Sequence, residues 1–67
     1  METVRNKVQE ARQEARLTQE ELARKVGVSR QTIIAIEKGN YAPSVLLALH
    51  LARAFKTNIE SLFSIKK

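Results

Sequence analysis

The chain has no cysteine, no aspartate and a single histidine. Without cysteine there are no disulfides, thiolate zinc sites or thiol nucleophiles, and a reducing compartment suits such a chain. His50 alone builds no multi-histidine metal site, and any carboxylate site would rest on glutamate only. Long apolar runs are also missing: the longest, Val45 to Leu49, falls far short of the roughly 20 residues that span a bilayer. No apolar stretch follows Met1, so no signal peptide is expected and the cytoplasm is the expected location. With 67 residues the chain makes one small domain, 1–67, which buries only about 60% of its unfolded surface. Its 43% hydrophobic and 28% charged residues describe an ordinary globular chain. Neither an enzyme nor a metal, cofactor, small-molecule ligand or membrane partner is expected.

Charge narrows the partners. Twelve Lys and Arg against seven Glu leave a formal +5. Residues 1–22 hold four basic and five acidic side chains, for −1. Residues 23–40 and 41–67 each hold four basic against one acidic, for +3 apiece. A basic block beside a near-neutral one is the footprint of a polyanion-binding face, nucleic acid or anionic membrane. It also serves as a solubilising surface, so charge alone does not choose.

Local signals divide the chain into five short helices, an all-α class. Asn6 is placed as the cap of the first, with Gln9 returning the bond and Val4, Val8, Ala11 and Ala15 as its inward stripe. Thr18 to Glu21 reads as a capping box opening a second helix that buries Leu22, Ala23 and Val26 and stops at Gly27. Ser29 caps a third helix to about Glu37, closed by Lys38-Gly39-Asn40 with Gly39 left-handed. Pro43 and Ser44 open a fourth, 44–55. There Val45, Ala48, Leu49, Ala52 and Phe55 form the stripe expected to face the core, and Leu47, Leu51 and Ala54 a second, surplus stripe. Asn58 caps a short fifth helix with Ile59, Leu62 and Phe63. The ends, Thr3-Val4 and Phe63 to Ile65, are β-permissive and able to pair as a short ribbon.

Residues 18–37 carry the one constellation specific enough to name. A capped helix, the small Ala23, a glycine at 27, and Ile33 with Ile36 together describe a DNA-binding helix-turn-helix. Ala23 lets the helices cross closely, Gly27 takes the positive φ of the turn, and Val28, Ile33 and Ile36 pin the second helix. Arg30, Gln31, Ile34 and Ala35 are left over on its outer edge, free to enter a major groove, and isoleucine is a costly choice for a merely solvated position.

The segments Thr18-Gln19-Glu20-Glu21-Leu22-Ala23, Gly27 to Ile33, Ile36-Glu37-Lys38-Gly39 and Pro43-Ser44 resemble the lambda-repressor and Cro-like, or Xre, helix-turn-helix family, especially its small members. The likeness runs from Val8 to Phe63. It implies a compact five-helix domain, two-fold dimers on pseudo-palindromic operators in double-stranded DNA, and repression of transcription. It implies base reading by Arg30, Gln31, Ile34 and Ala35. Arginine suits guanine O6 and N7, glutamine suits adenine N6 and N7, and the apolar pair suits thymine methyls. It implies phosphate contacts from Gln19, Ser29, Thr32, Lys38, Asn40 and Tyr41, and a structural pair of Arg12 with Glu37. Since helices 4 and 5 carry apolar residues beyond one core stripe, a homodimer is expected through the C-terminal region 58–67 and helix 4: Leu47, Leu51, Ile59, Leu62, Phe63 and Ile65. Rival readings are an antitoxin that represses its own operon, against which few residues follow Phe63, and an interaction module that does not bind DNA, which would have no need of Arg30 and Gln31.

Overall fold

The computed structural model describes residues 3–66. A strand β1 (Thr3–Asn6) leads into five helices, α1 (Val8–Glu14), α2 (Gln19–Val26), α3 (Arg30–Glu37), α4 (Val45–Ala54) and α5 (Ile59–Leu62), and a strand β2 (Phe63–Lys66) closes the fold. The two strands pair antiparallel, Thr3 opposite Lys66, Val4 opposite Ile65, Arg5 opposite Ser64 and Asn6 opposite Phe63, so the ribbon expected from the termini forms.

Four helices start on the side chains the sequence nominates. Thr18 Oγ1 accepts from the Glu21 amide at 3.0 Å while Glu21 Oε1 accepts from the Thr18 amide at 2.8 Å. Ser29, Ser44 and Asn58 accept from the amides of Thr32, Leu47 and Ser61. Each bond satisfies a donor that the first helical turn would otherwise leave unpaired. The first helix differs from expectation. It starts one residue later, behind Lys7, with no capping bond from that side chain and none from Gln9 to Asn6. Asn6 instead ends β1 and accepts from the Val8 amide at 3.1 Å. Val4 therefore lies in a strand, half exposed, and Ala15 is exposed beyond the last helical turn. The stripe on α1 shrinks to Val8, with Ala11 beside it.

The first four helices end alike. The amides of Leu17, Val28, Asn40 and Thr57 bond back to the carbonyls of Arg12, Ala23, Ala35 and Ala52, at 2.9–3.1 Å. Such a reversal requires a left-handed residue before the donor. Gly27 and Gly39 fill two of these positions, and Arg16 (φ 59°) and Lys56 (φ 55°) fill the others.

The core is Val8, Leu22, Ile33, Ile36 and Leu51, each fully buried, with Ala23, Val26, Leu47, Ala48, Ala52 and Leu62 around them. This corrects the orientation of α4. Leu47, Ala48, Leu51 and Ala52 face inward, whereas Val45 and Leu49, expected in the core, are 74% and 52% exposed. Apolar residues surround α4 on most sides, so its periodicity selects no face. Packing against α2 and α5 selects the side where two leucines, four residues apart, alternate with alanines small enough for close approach. The expected dimer face changes accordingly. Leu47, Leu51 and Leu62 belong to the core of a single chain and have little surface to offer a partner. Ile59 and Phe63 are half-buried against that core, and of the six only Ile65 is strongly exposed. The apolar surplus lies instead at Val45, Leu46 and Leu49.

Candidate nucleic-acid interface

Helices α2 and α3 pack directly on each other across the turn 27–29. Ala23 at the contact is buried, Gly27 holds φ at 77°, and Val28 packs on the core beside Ile33 and Ile36. With those two isoleucines inward, Arg30 and Gln31 project into solvent at the start of α3. Ile34 and Ala35 share that side but are half-buried, so only part of each is free for an apolar contact. Arginine and glutamine at the exposed N-terminal end of a helix can pair in bidentate fashion with base edges in a major groove.

A groove runs between the start of α2 and the start of α3, lined by Arg12, Thr18, Gln19, Glu20 and Arg30. Thr18 satisfies the amides of Glu21 and Leu22, and among the described residues the backbone N–H groups of Gln19 and Glu20 have no acceptor. Free amides at a helix start, with Arg30 opposite, favour an anion. The Glu20 carboxylate in the same groove opposes it. Glu21, one turn inside, is held below the ordinary carboxylate range mainly by the Thr18 N–H, then by the Thr18 hydroxyl, with desolvation opposing and Arg24 adding the least.

Beneath the groove the structure joins Arg12 to Glu37, with Arg12 Nε donating to Oε2 at 2.7 Å and Nη2 to Oε1 at 3.3 Å. A further guanidinium N–H donates to the Leu17 carbonyl at 2.9 Å. Gln19, expected from the resemblance to contact phosphate, donates from its amide nitrogen to Glu37 Oε1 at 3.1 Å. No sequence signal marks that bond, which links residues 18 apart. The hydroxyls of Ser29 and Thr32 bond each other at 3.0 Å, which uses the proton of one and leaves the other's free to donate. Past α3, Lys38, Asn40 and Tyr41 are exposed on the loop leading to α4. The Asn40 amide is occupied in the helix-ending bond to Ala35, which leaves its side chain for contacts. The structure therefore gathers Gln19, Arg30 and Gln31 around one groove and edge, with Lys38, Asn40 and Tyr41 beyond the far end of α3. His50 is exposed on α4 and lines a groove with Thr32 and Tyr41.

Residues 8–62 match the helix-turn-helix family. A protein of Methanothermobacter thermautotrophicus named as an uncharacterized HTH-type transcriptional regulator is 56% identical over 61 residues, covering 90% of this chain and 88% of that protein. One of Archaeoglobus fulgidus with the same name is 52% identical over 60 residues, covering 90% and 86%. The Bacillus subtilis HTH-type regulator YgzD is 47% identical over 64 residues, covering 96% and 97%.

Proposed function

The chain belongs to the helix-turn-helix family, and from that premise we propose that it is a sequence-specific transcriptional repressor, binding a pseudo-palindromic operator in double-stranded DNA as a homodimer. The observation that carries the reading is the exposed Arg30–Gln31 edge of α3 beside a groove of free α2 amides. Arg30 and Gln31 read base edges, with partial help from Ile34 and Ala35. Gln19 with the amides at the start of α2, and Ser29, Thr32, Lys38, Asn40 and Tyr41, hold backbone phosphate. Repression requires no more than occupancy of DNA that the transcription machinery needs.

Dimerisation is part of the same reading, on a revised surface. Val45, Leu46 and Leu49 are exposed in consecutive turns of α4, and Val4 pairs with Ile65 across the ribbon with both side chains exposed. Tyr41 lies between these areas, lining one groove with Val4 and another with Leu46. A two-fold contact here removes apolar surface from water and sets two copies of α3 about 34 Å apart, one DNA turn.

Selection of bound duplexes from a random-sequence pool tests the function. Enrichment of two inverted half-sites about one turn apart is the expected result. Failure to enrich any sequence, with affinity insensitive to salt, would refute DNA recognition.

A further inference from the structure

The Arg12–Glu37 ion pair has a third member that neutralising its charge does not require. Glu37 is the last residue of α3, where the helix dipole disfavours an anion, and its side chain is only 4% exposed. A carboxylate so placed needs a cation and hydrogen bonds. Arg12 supplies both through its two bonds. The amide nitrogen of Gln19 then adds a third, and a carboxylate can only accept. That bond decides which end of the Gln19 amide turns inward. The nitrogen is held at Glu37, with its second N–H uncommitted among the described residues.

Gln19 is also the first residue of α2, beside the two backbone amides that lack acceptors. We propose that Glu37 is a positioning residue for DNA: before DNA arrives it fixes the Gln19 amide so that its second N–H is presented, with the free amides of α2, to one backbone phosphate. The proposal rests on the DNA-binding reading above and deepens it. The same carboxylate terminates the helix that carries Arg30 and Gln31, so the phosphate grip and the base-reading edge share one buried anchor. Orienting a long polar side chain in advance removes an ordering cost from the binding step.

A double-mutant cycle separates this role from a structural one. Affinity for a fluorescent duplex carrying the selected sequence is measured for wild type, for Gln19→Ala, for the charge-free pair Arg12→Met with Glu37→Leu, and for all three changes together. Replacing both charges by apolar groups avoids stranding one of them in the interior. Gln19→Ala is expected to weaken binding about tenfold in the wild-type background, and hardly at all where Glu37 is gone. Equal losses in both backgrounds, or no loss in either, overturn the proposal. Should the charge-free pair not fold, the side-chain amide of Gln19 in the free wild-type protein decides by nitrogen NMR relaxation. Order well above that of the exposed Gln9 and Gln13 amides is expected, and equal mobility overturns it. A wild-type chain that binds no duplex defeats the DNA-binding reading itself, a result distinct from either.

Discussion

The side-chain amide of Asn6 donates to the backbone carbonyl of Ile36 at 2.8 Å, fastening the end of β1 to the last turn of α3. The other end of the same amide accepts from the Val8 N–H at 3.1 Å. One residue thus starts α1 and closes on α3 at once. Asn6→Ala removes both bonds and is expected to cost about 1–3 kcal/mol, read as a lower denaturant midpoint. Asn6→Asp keeps the acceptor for Val8 but sets a carboxylate oxygen against the Ile36 carbonyl. It is expected to be no better than alanine, and an aspartate variant of wild-type stability would show that the Ile36 bond contributes nothing.

Left-handed backbone at Arg16 and Lys56 carries a steric cost that Gly27 and Gly39 escape. Lys56→Gly is expected to raise stability by up to about 1 kcal/mol, a gain limited by the greater freedom of glycine in the unfolded chain. Gly39→Ala is expected to lower it by about 1–2 kcal/mol, through backbone conformation alone, since an added Cβ would meet no atom within 4 Å. Thermal melts of the two variants check the opposite signs.

Acid should loosen the start of α2. The Glu21 carboxyl lies below its ordinary value of 4.5 in the folded chain because Thr18 bonds the charged form. A depressed folded value means that the contribution is full above the unfolded value and is lost as pH falls through the folded one. Glu21→Gln is expected to be less stable than wild type at neutral pH, with the gap closing below pH 4.5. A gap that persists in acid would show that the carboxylate charge is not what Thr18 rewards.

Base reading and phosphate holding are separable by substitution. Arg30→Ala is expected to cost about 1–3 kcal/mol on the selected duplex and to flatten preference at one base pair per half-site. Lys38→Ala is expected to weaken selected and random duplexes alike. If Arg30→Ala weakens both equally, Arg30 holds phosphate and reads no base.

Association is tested on α4. Leu46 is 66% exposed and Leu51 fully buried, one turn and a residue apart. Leu46→Asp is expected to leave the helical signal intact while shifting sedimentation from about twice the 7.6 kDa chain mass to a single chain. Leu51→Asp buries an unpaired charge and is expected to unfold the domain. Wild type sedimenting as a monomer while protecting two half-sites would remove this surface from the mechanism.

The starts of α2 to α5 were legible from residues because caps act over three or four positions, whereas that of α1 was not. Thr18, Ser29, Asn58, Gly27 and Gly39 satisfy or reverse the backbone next to them, whatever lies elsewhere in the chain. The turn-centred pair α2–α3 and its inward isoleucines follow from the same short range, as does the exposed edge at Arg30 and Gln31. The face of α4 is a different matter, since a helix apolar on most sides has several arcs of similar hydrophobicity. Only contact with α2 and α5 separates them, which is how Leu47 and Leu51 enter the core while Val45, Leu46 and Leu49 stay outside. The bonds of Gln19 to Glu37 and of Asn6 to Ile36 join residues 18 and 30 apart. Distances of that kind are set by how helices stack, and a side chain that can cap, bind or solvate locally gives no sign of which partner the fold will bring within reach.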